Sequence, residues 1–126
     1  MMLAHVASAE GEIAAENALG GNIKMHYSSI PSGVYTFPEL ASVGISEAEA
    51  LQQKLDIKTG RFPLSGNGKA VILNQFHGMI KVIADSRTGE IYGAQMLGPR
   101  ATDIVAEIAL AMRSESTVDE LIGWMI

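Results

Sequence analysis

With 126 residues the chain has the length of one domain, enough to bury about two-thirds of the surface its unfolded form would expose. Hydrophobic residues make up 48% and mean hydropathy is +0.19, yet no apolar run approaches the ~18 residues a membrane span needs, so the surplus points to a protein interface. The net charge of -5 is spread evenly and excludes a phosphate-backbone ligand, while the lack of cysteine excludes disulfides, thiolate metal sites and redox dithiols within these residues.

Residues 3–19 read as a helix, with Leu3, Val6, Ala7, Ile13, Ala14 and Ala18 on one side and Glu10, Glu12 and Glu16 elsewhere. Gly20-Gly21 ends it as a C-terminal cap. Gly11 inside the helix costs about 1 kcal/mol relative to alanine, which implies that something approaches the backbone closely there. A chain that opens on an apolar helix looks like a piece of something longer. Residues 21–32 carry Ser28, Ser29, Pro31 and Ser32 with little periodicity and read as a linker. Residues 33–36 and 41–45 are two short extended pieces, kept apart by Pro38. Ser46-Glu47-Ala48-Glu49 is a capping box opening a short helix to about residue 54. Residues 57–64 read as a strand broken near Gly60 and Pro63, and residues 66–68 as a loop. Residues 69–74 are compatible with strand or helix, and a short helical turn is preferred.

The central stretch follows. GMIKVIAD and EIYGAQMLG read as two strands joined by the turn Ser86-Arg87-Thr88-Gly89. Ile80, Val82 and Ala84 make one face of the first strand apolar, whereas Met79, Lys81 and Ile83 make the other only partly polar, as suits a sheet covered on one side and partly covered on the other. Gly98-Pro99 stops the second strand, and ATDIVAEIALAMR continues as a helix. Its apolar residues are spread so widely that it should lie between layers or against another chain. Thr117-Val118-Asp119-Glu120 is a second capping box, opening a last helix that reaches Ile126 without a C-terminal cap and carries Val118, Leu121, Ile122 and Met125 on one face.

Little here resembles chemistry. His5, His26 and His77 are far apart and read as solvated or capping residues, not metal ligands. Glu47, Glu49, Asp119 and Glu120 are explained by helix starts. No dinucleotide fingerprint, P-loop or nucleophile elbow occurs. Tyr35, Phe37 and Trp124 read as core rather than stacking residues, and Arg100 is either an anion holder at a helix start or an ordinary surface arginine. The residues by themselves define an acidic α+β domain with an apolar face for oligomerisation and no catalysis of its own.

Three stretches together resemble one family. MLAHVASAEG at 2–11, VYTFPELASVG at 34–44 and IYGAQMLGPRATD at 91–103 are similar to segments of the flavin-dependent pyridine nucleotide–disulfide oxidoreductases, the dihydrolipoamide-oxidising branch most closely. The resemblance implies that residues 1–20 end an FAD-binding domain, 21–32 are a linker and 33–126 form a dimerisation domain that stops before the family's His-Pro-Thr motif. It implies a parent enzyme that oxidises dihydrolipoamide on a lipoyl-bearing carrier protein, passing electrons through a redox disulfide and FAD to NAD. It also implies an α+β fold, an antiparallel sheet flanked by helices, whose task is to form a homodimer; the cytoplasmic expectation comes instead from the N-terminus, where no basic stretch is followed by an apolar one as in a signal peptide. Met2, Leu3, Ala4 and His5 match the segment that contacts the flavin. The redox cysteines, the catalytic histidine and both dinucleotide folds are missing from these residues, so the chain by itself should be inactive and bind neither cofactor. Asp103 stands where the family more often has glutamate and Lys69 where it often has arginine, both keeping charge. Alternatives are a free-standing oligomerisation module and the same domain from another reductase of the family, such as mercuric reductase.

Overall fold

The computed structural model describes residues 2–124, the Trp124 side chain aside. Its frame is an antiparallel sheet of β1 (Ser32–Val34), β2 (Glu39–Gly44), β3 (Ile57–Pro63), β4 (Met79–Asp85) and β5 (Ile91–Gly98), in the order β1-β2-β5-β4-β3. The helices are α1 (Ala4–Ala18), α2 (Glu47–Gln52), α3 (Gly68–Ile72), α4 (Ala101–Arg113) and α5 (Val118–Trp124). Tyr27–Ser29 and Leu64–Gly66 form single 3-10 turns.

β5 takes the centre because it is apolar or glycine on nearly every position, with Ile91, Gly93, Ala94, Met96 and Gly98 all buried. Register places Ile80 of β4 and Ala41 of β2 on either side of Met96, and Val82 and Val43 on either side of Ala94. Side chains alternate across a strand, so these residues share one face. On that face lies α4, with Ala101, Val105, Ile108 and Ala111 buried against Ala41, Val43, Ala94 and Met96. Val105 and Ile108 each contribute roughly 1.5–3 kcal/mol by leaving water. Ala41 and Ala94 are fully buried beneath the helix, and their small side chains let its backbone come close. The opposite face is only partly covered. There Ile83 is fully buried, whereas Val34, Leu40, Leu97 and Met79 are 41% to 48% exposed.

The structure departs from the sequence reading at several points. β3 runs unbroken through Gly60, each residue from Ile57 to Pro63 opposed to one of β4. It is an edge strand, where glycine and a terminal proline are tolerated. The linker contains a 3-10 turn, and Ser32 already pairs as part of β1. Nothing lies near the position a side chain at Gly11 would occupy, so the expected close approach does not occur among the described residues. Of the two places expected for α4, the one between layers is not met among the described residues, since the helix packs on one side with Leu110 68% exposed on the other; a place against another chain is not touched by this. The expected helical reach to Ile126 and the place of Met125 lie outside the described residues. Residues 69–74 do hold a helical turn, α3, capped by Asn67, whose Oδ1 accepts from the Ala70 N–H at 2.9 Å. The hairpin turn and α4 stand where the pattern puts them.

Replacing Ala94 by leucine forces α4 off the sheet and should cost about 1–3 kcal/mol or more, read as a lower urea midpoint. An unchanged midpoint would mean the helix is not held this close. α1 buries only Val6 fully and is otherwise tied down by exposed hydrogen bonds, Tyr27 to Glu10 at 2.6 Å among them. Its amides should therefore exchange with deuterium well ahead of those in β4 and β5, and equal protection would refute that ranking.

Candidate functional site

The start of α4 is a part-buried polar corner where strand and helix meet. Arg100, its N-cap, takes a left-handed conformation at φ 59° and has no side-chain bond to the helix N–H groups. The cap comes from the sheet: Glu39 Oε2 on β2 accepts from the Thr102 N–H at 3.0 Å and from the Thr102 hydroxyl at 2.6 Å. A carboxylate there answers both the free N–H groups and the positive end of the helix dipole. Beside it, a side chain on Gly33 would meet the Thr102 methyl at 2.9 Å, so β1 also comes close to the helix. The anion at this helix start is thus Glu39, and Arg100 donates from Nε to Asp103 at 3.0 Å within the same turn.

Near the same end of α4, α1 begins. Its N-cap, Leu3, is extended and makes no side-chain cap, which leaves first-turn N–H groups open. His5 Nε2 lies 2.9 Å from the Pro31 carbonyl, tying α1 to the segment before β1. A cavity of about 340 Å³ lies there, lined by residues that include His5, Pro31, Ser32, Tyr35, Thr102 and Ala106. Of the four residues matched to a flavin contact, His5 lines this cavity, Leu3 is half-buried, and Met2 and Ala4 are exposed. Tyr35 and Phe37 are each 85% exposed and are not core residues. The side chain of Trp124 lies outside the described residues. His77 stacks at a tilt on Phe76, 4.6 Å between ring centres, and no cluster of three potential metal ligands occurs among the described residues.

The remaining carboxylates have local partners. Both capping boxes form: Glu49 accepts from the Ser46 N–H at 2.7 Å and Glu120 from the Thr117 N–H at 2.7 Å, with Ser46 and Thr117 oxygens accepting in return. Those bonds hold both glutamates below the usual carboxylate range, the Ser46 hydroxyl leading for Glu49 and the Thr117 N–H for Glu120. Glu47 does more than sit in a first turn. It accepts from Arg61 Nη2 at 2.8 and 2.6 Å and has Lys81 Nζ at 3.5 Å, and the Arg61 bond chiefly lowers its pKa. This pins α2 to β3 and β4. A contact across 14 residues leaves no signature in the sequence.

The fold has relatives among known proteins. The model for the dimerisation domain of the pyridine nucleotide-disulphide oxidoreductases matches residues 30–125. A dihydrolipoyl dehydrogenase of Chlamydia trachomatis is 45% identical over 92% of this chain, and one of Bacillus subtilis is 42% identical over 94%. The chain spans about a quarter of the length of each, 25%. Among solved structures, LpdA from Mycobacterium tuberculosis superposes on all of this chain and 28% of its own with a TM-score of 0.90 at 29% identity. The flavoprotein disulfide reductase RclA from Escherichia coli covers 93% of this chain, with 27% of its own, at TM-score 0.82 and 21% identity, and shares the fold. Among the described residues no helix is long and apolar enough to cross a membrane.

The hairpin turn yields a pH prediction. Asp85 Oδ1 accepts from the N–H groups of Thr88 at 2.7 Å and Arg87 at 2.9 Å, and these bonds bring its pKa from 3.8 down to about 2. A carboxylate depressed in the fold contributes stability that is fully present above its unfolded pKa and is lost as pH falls through the folded one. Melting curves taken from pH 5 down to pH 2 should therefore show Asp85→Ala losing less stability than the parent chain. Parallel losses would show that the turn carries none of the acid sensitivity.

Proposed function

Because the chain belongs to the pyridine nucleotide-disulphide oxidoreductases, residues 30–125 being their dimerisation domain, we propose that it serves as that domain in a cytoplasmic dihydrolipoyl dehydrogenase. The observation that carries the choice of enzyme is the agreement in name among relatives aligned along nearly the whole chain, from 45% to 37% identical. In this reading the parent enzyme oxidises dihydrolipoamide on a lipoyl-bearing carrier protein, and the electrons pass through a redox disulfide and FAD to NAD. Residues 1–20 end the FAD-binding part, 21–32 connect, and the rest assembles the homodimer.

The residues here fit a place beside the flavin at one point. α1 begins without a side-chain cap at the edge of the cavity that His5 lines, and open N–H groups at a helix start suit an electron-rich ring edge. FAD, when bound, supplies the two-electron acceptor. In this reading Met2, Leu3, Ala4 and His5 present that helix start to it, and His5 holds the start in place through Pro31. The sequence holds no cysteine, and in this reading the chain contributes position and assembly.

Two measurements test this reading. The coding DNA on both sides of this stretch should specify a cysteine pair and dinucleotide motifs upstream and a His-Pro-Thr motif downstream. Flanks that encode neither would remove the enzyme. Sedimentation of the chain across a wide concentration range should show a monomer–dimer equilibrium, and a concentration-independent monomer would count against assembly as its task.

A further inference from the structure

We propose that residues 21–32 are a strap that fastens α1 lengthwise to the sheet, so that helix and strap open as one unit and the start of α1 stays at its cavity only while the strap is closed. Its service to a flavin rests on the function proposed above; the unit itself does not.

The chain first turns back on itself. Gly20 takes φ 100°, and the Gly21 N–H donates to the Glu16 carbonyl at 3.0 Å, where a side chain on Gly21 would stand 2.9 Å from that same oxygen. From there the strap runs antiparallel to α1, and three side chains of the helix meet it in reverse order. Asn17 makes a two-way bond with Ile23, its amide donating to the carbonyl at 2.9 Å and its Oδ1 accepting from the N–H at 2.8 Å. Glu10 accepts from the Tyr27 hydroxyl at 2.6 Å, a charge-assisted bond that is the chief cause raising the tyrosine pKa. His5 Nε2 meets the Pro31 carbonyl at 2.9 Å. Between Asn17 and His5 the helix rises about 18 Å, and the stretch from Ile23 to Pro31, at up to about 3.3 Å per residue, has the reach to follow it.

The cover on α1 lies on this same side. Val6 is buried and Ala9 and Ile13 are half-buried, while every other position of the helix is exposed. These three form one stripe, with Glu10 on one flank and His5 on the other. Among the described residues no strand or other α-helix packs broadly on α1, whereas the 3-10 turn Tyr27–Ser29 within the strap lies against α4 and β2, and Ser32 enters β1. The path from sheet to helix therefore runs through the strap, and His5, Glu10 and Asn17 are its positioning residues.

Hydrogen exchange of the chain, followed amide by amide by NMR, tests this. The parent is compared with Tyr27→Phe, which keeps the ring and removes the donor, with Asn17→Ala, and with the double variant. Position 27 is outside the helix and alanine is a better helix former than asparagine, so neither change speeds exchange by weakening α1 itself. Each should raise exchange about two- to tenfold, by one common factor at every α1 amide protected in the parent, with β4 and β5 unchanged. The double variant should show the product of the two factors. Glu10→Gln, which keeps an acceptor for the hydroxyl, should stay nearer the parent than Glu10→Ala. Acceleration confined to the turn beside each substitution, or none, overturns the strap, as does the reverse order at Glu10. Equal acceleration in β4 and β5 overturns it too, because α1 would then open only with the whole domain. Flanking DNA without the cysteine pair and dinucleotide motifs would remove the flavin and leave the strap standing.

Discussion

The fold depends on how closely α4 sits on the middle of the sheet. Alanines meet at that contact from both sides, Ala41 and Ala94 beneath and Ala101 and Ala111 above. Such a layer gains less from water exclusion per residue than one of leucines, but it brings backbones near enough for polar groups of strand and helix to reach one another. Glu39 can cap Thr102 across 63 residues for that reason, and Gly33 admits the Thr102 methyl where a side chain would collide. The helix start, the edge of β1 and the end of β2 are thereby locked into one corner. The cavity beside His5 opens at that corner.

What remains outside this contact follows from it. With one side of α4 taken up by the sheet, its other side stays exposed, Asp103 held only by Arg100 and Leu110 68% exposed. The rest of the ionic chemistry is spent locally. Glu49 and Glu120 close capping boxes, Asp85 closes a hairpin turn, and Glu47 clamps a short helix to two strands. Among buried side-chain atoms of the described residues, only Gln95 Oε1 lacks a hydrogen-bond partner. Carboxylates so engaged at turns and caps are not poised for proton transfer, which asks for a group aimed at a vacant place with a pKa near the working pH.

The legible part of this molecule was written in short windows. A capping box is complete within four residues, so Ser46–Glu49 and Thr117–Glu120 announce two helices, and α4 is delimited by Gly98-Pro99 before it. Strand β3 misleads because glycine and proline are read against the standard of a central strand, whereas it lies at an edge, and edge position is a property of the whole sheet. Tyr35 and Phe37 mislead for a related reason. Aromatic side chains in a chain with few of them suggest a core, yet here they lie exposed in the segment between β1 and β2. Glu39–Thr102 and Glu47–Arg61 are invisible in one dimension, since their partners are brought together only by strand order. The family resemblance supplied what local patterns could not, because it compares whole arrangements at once.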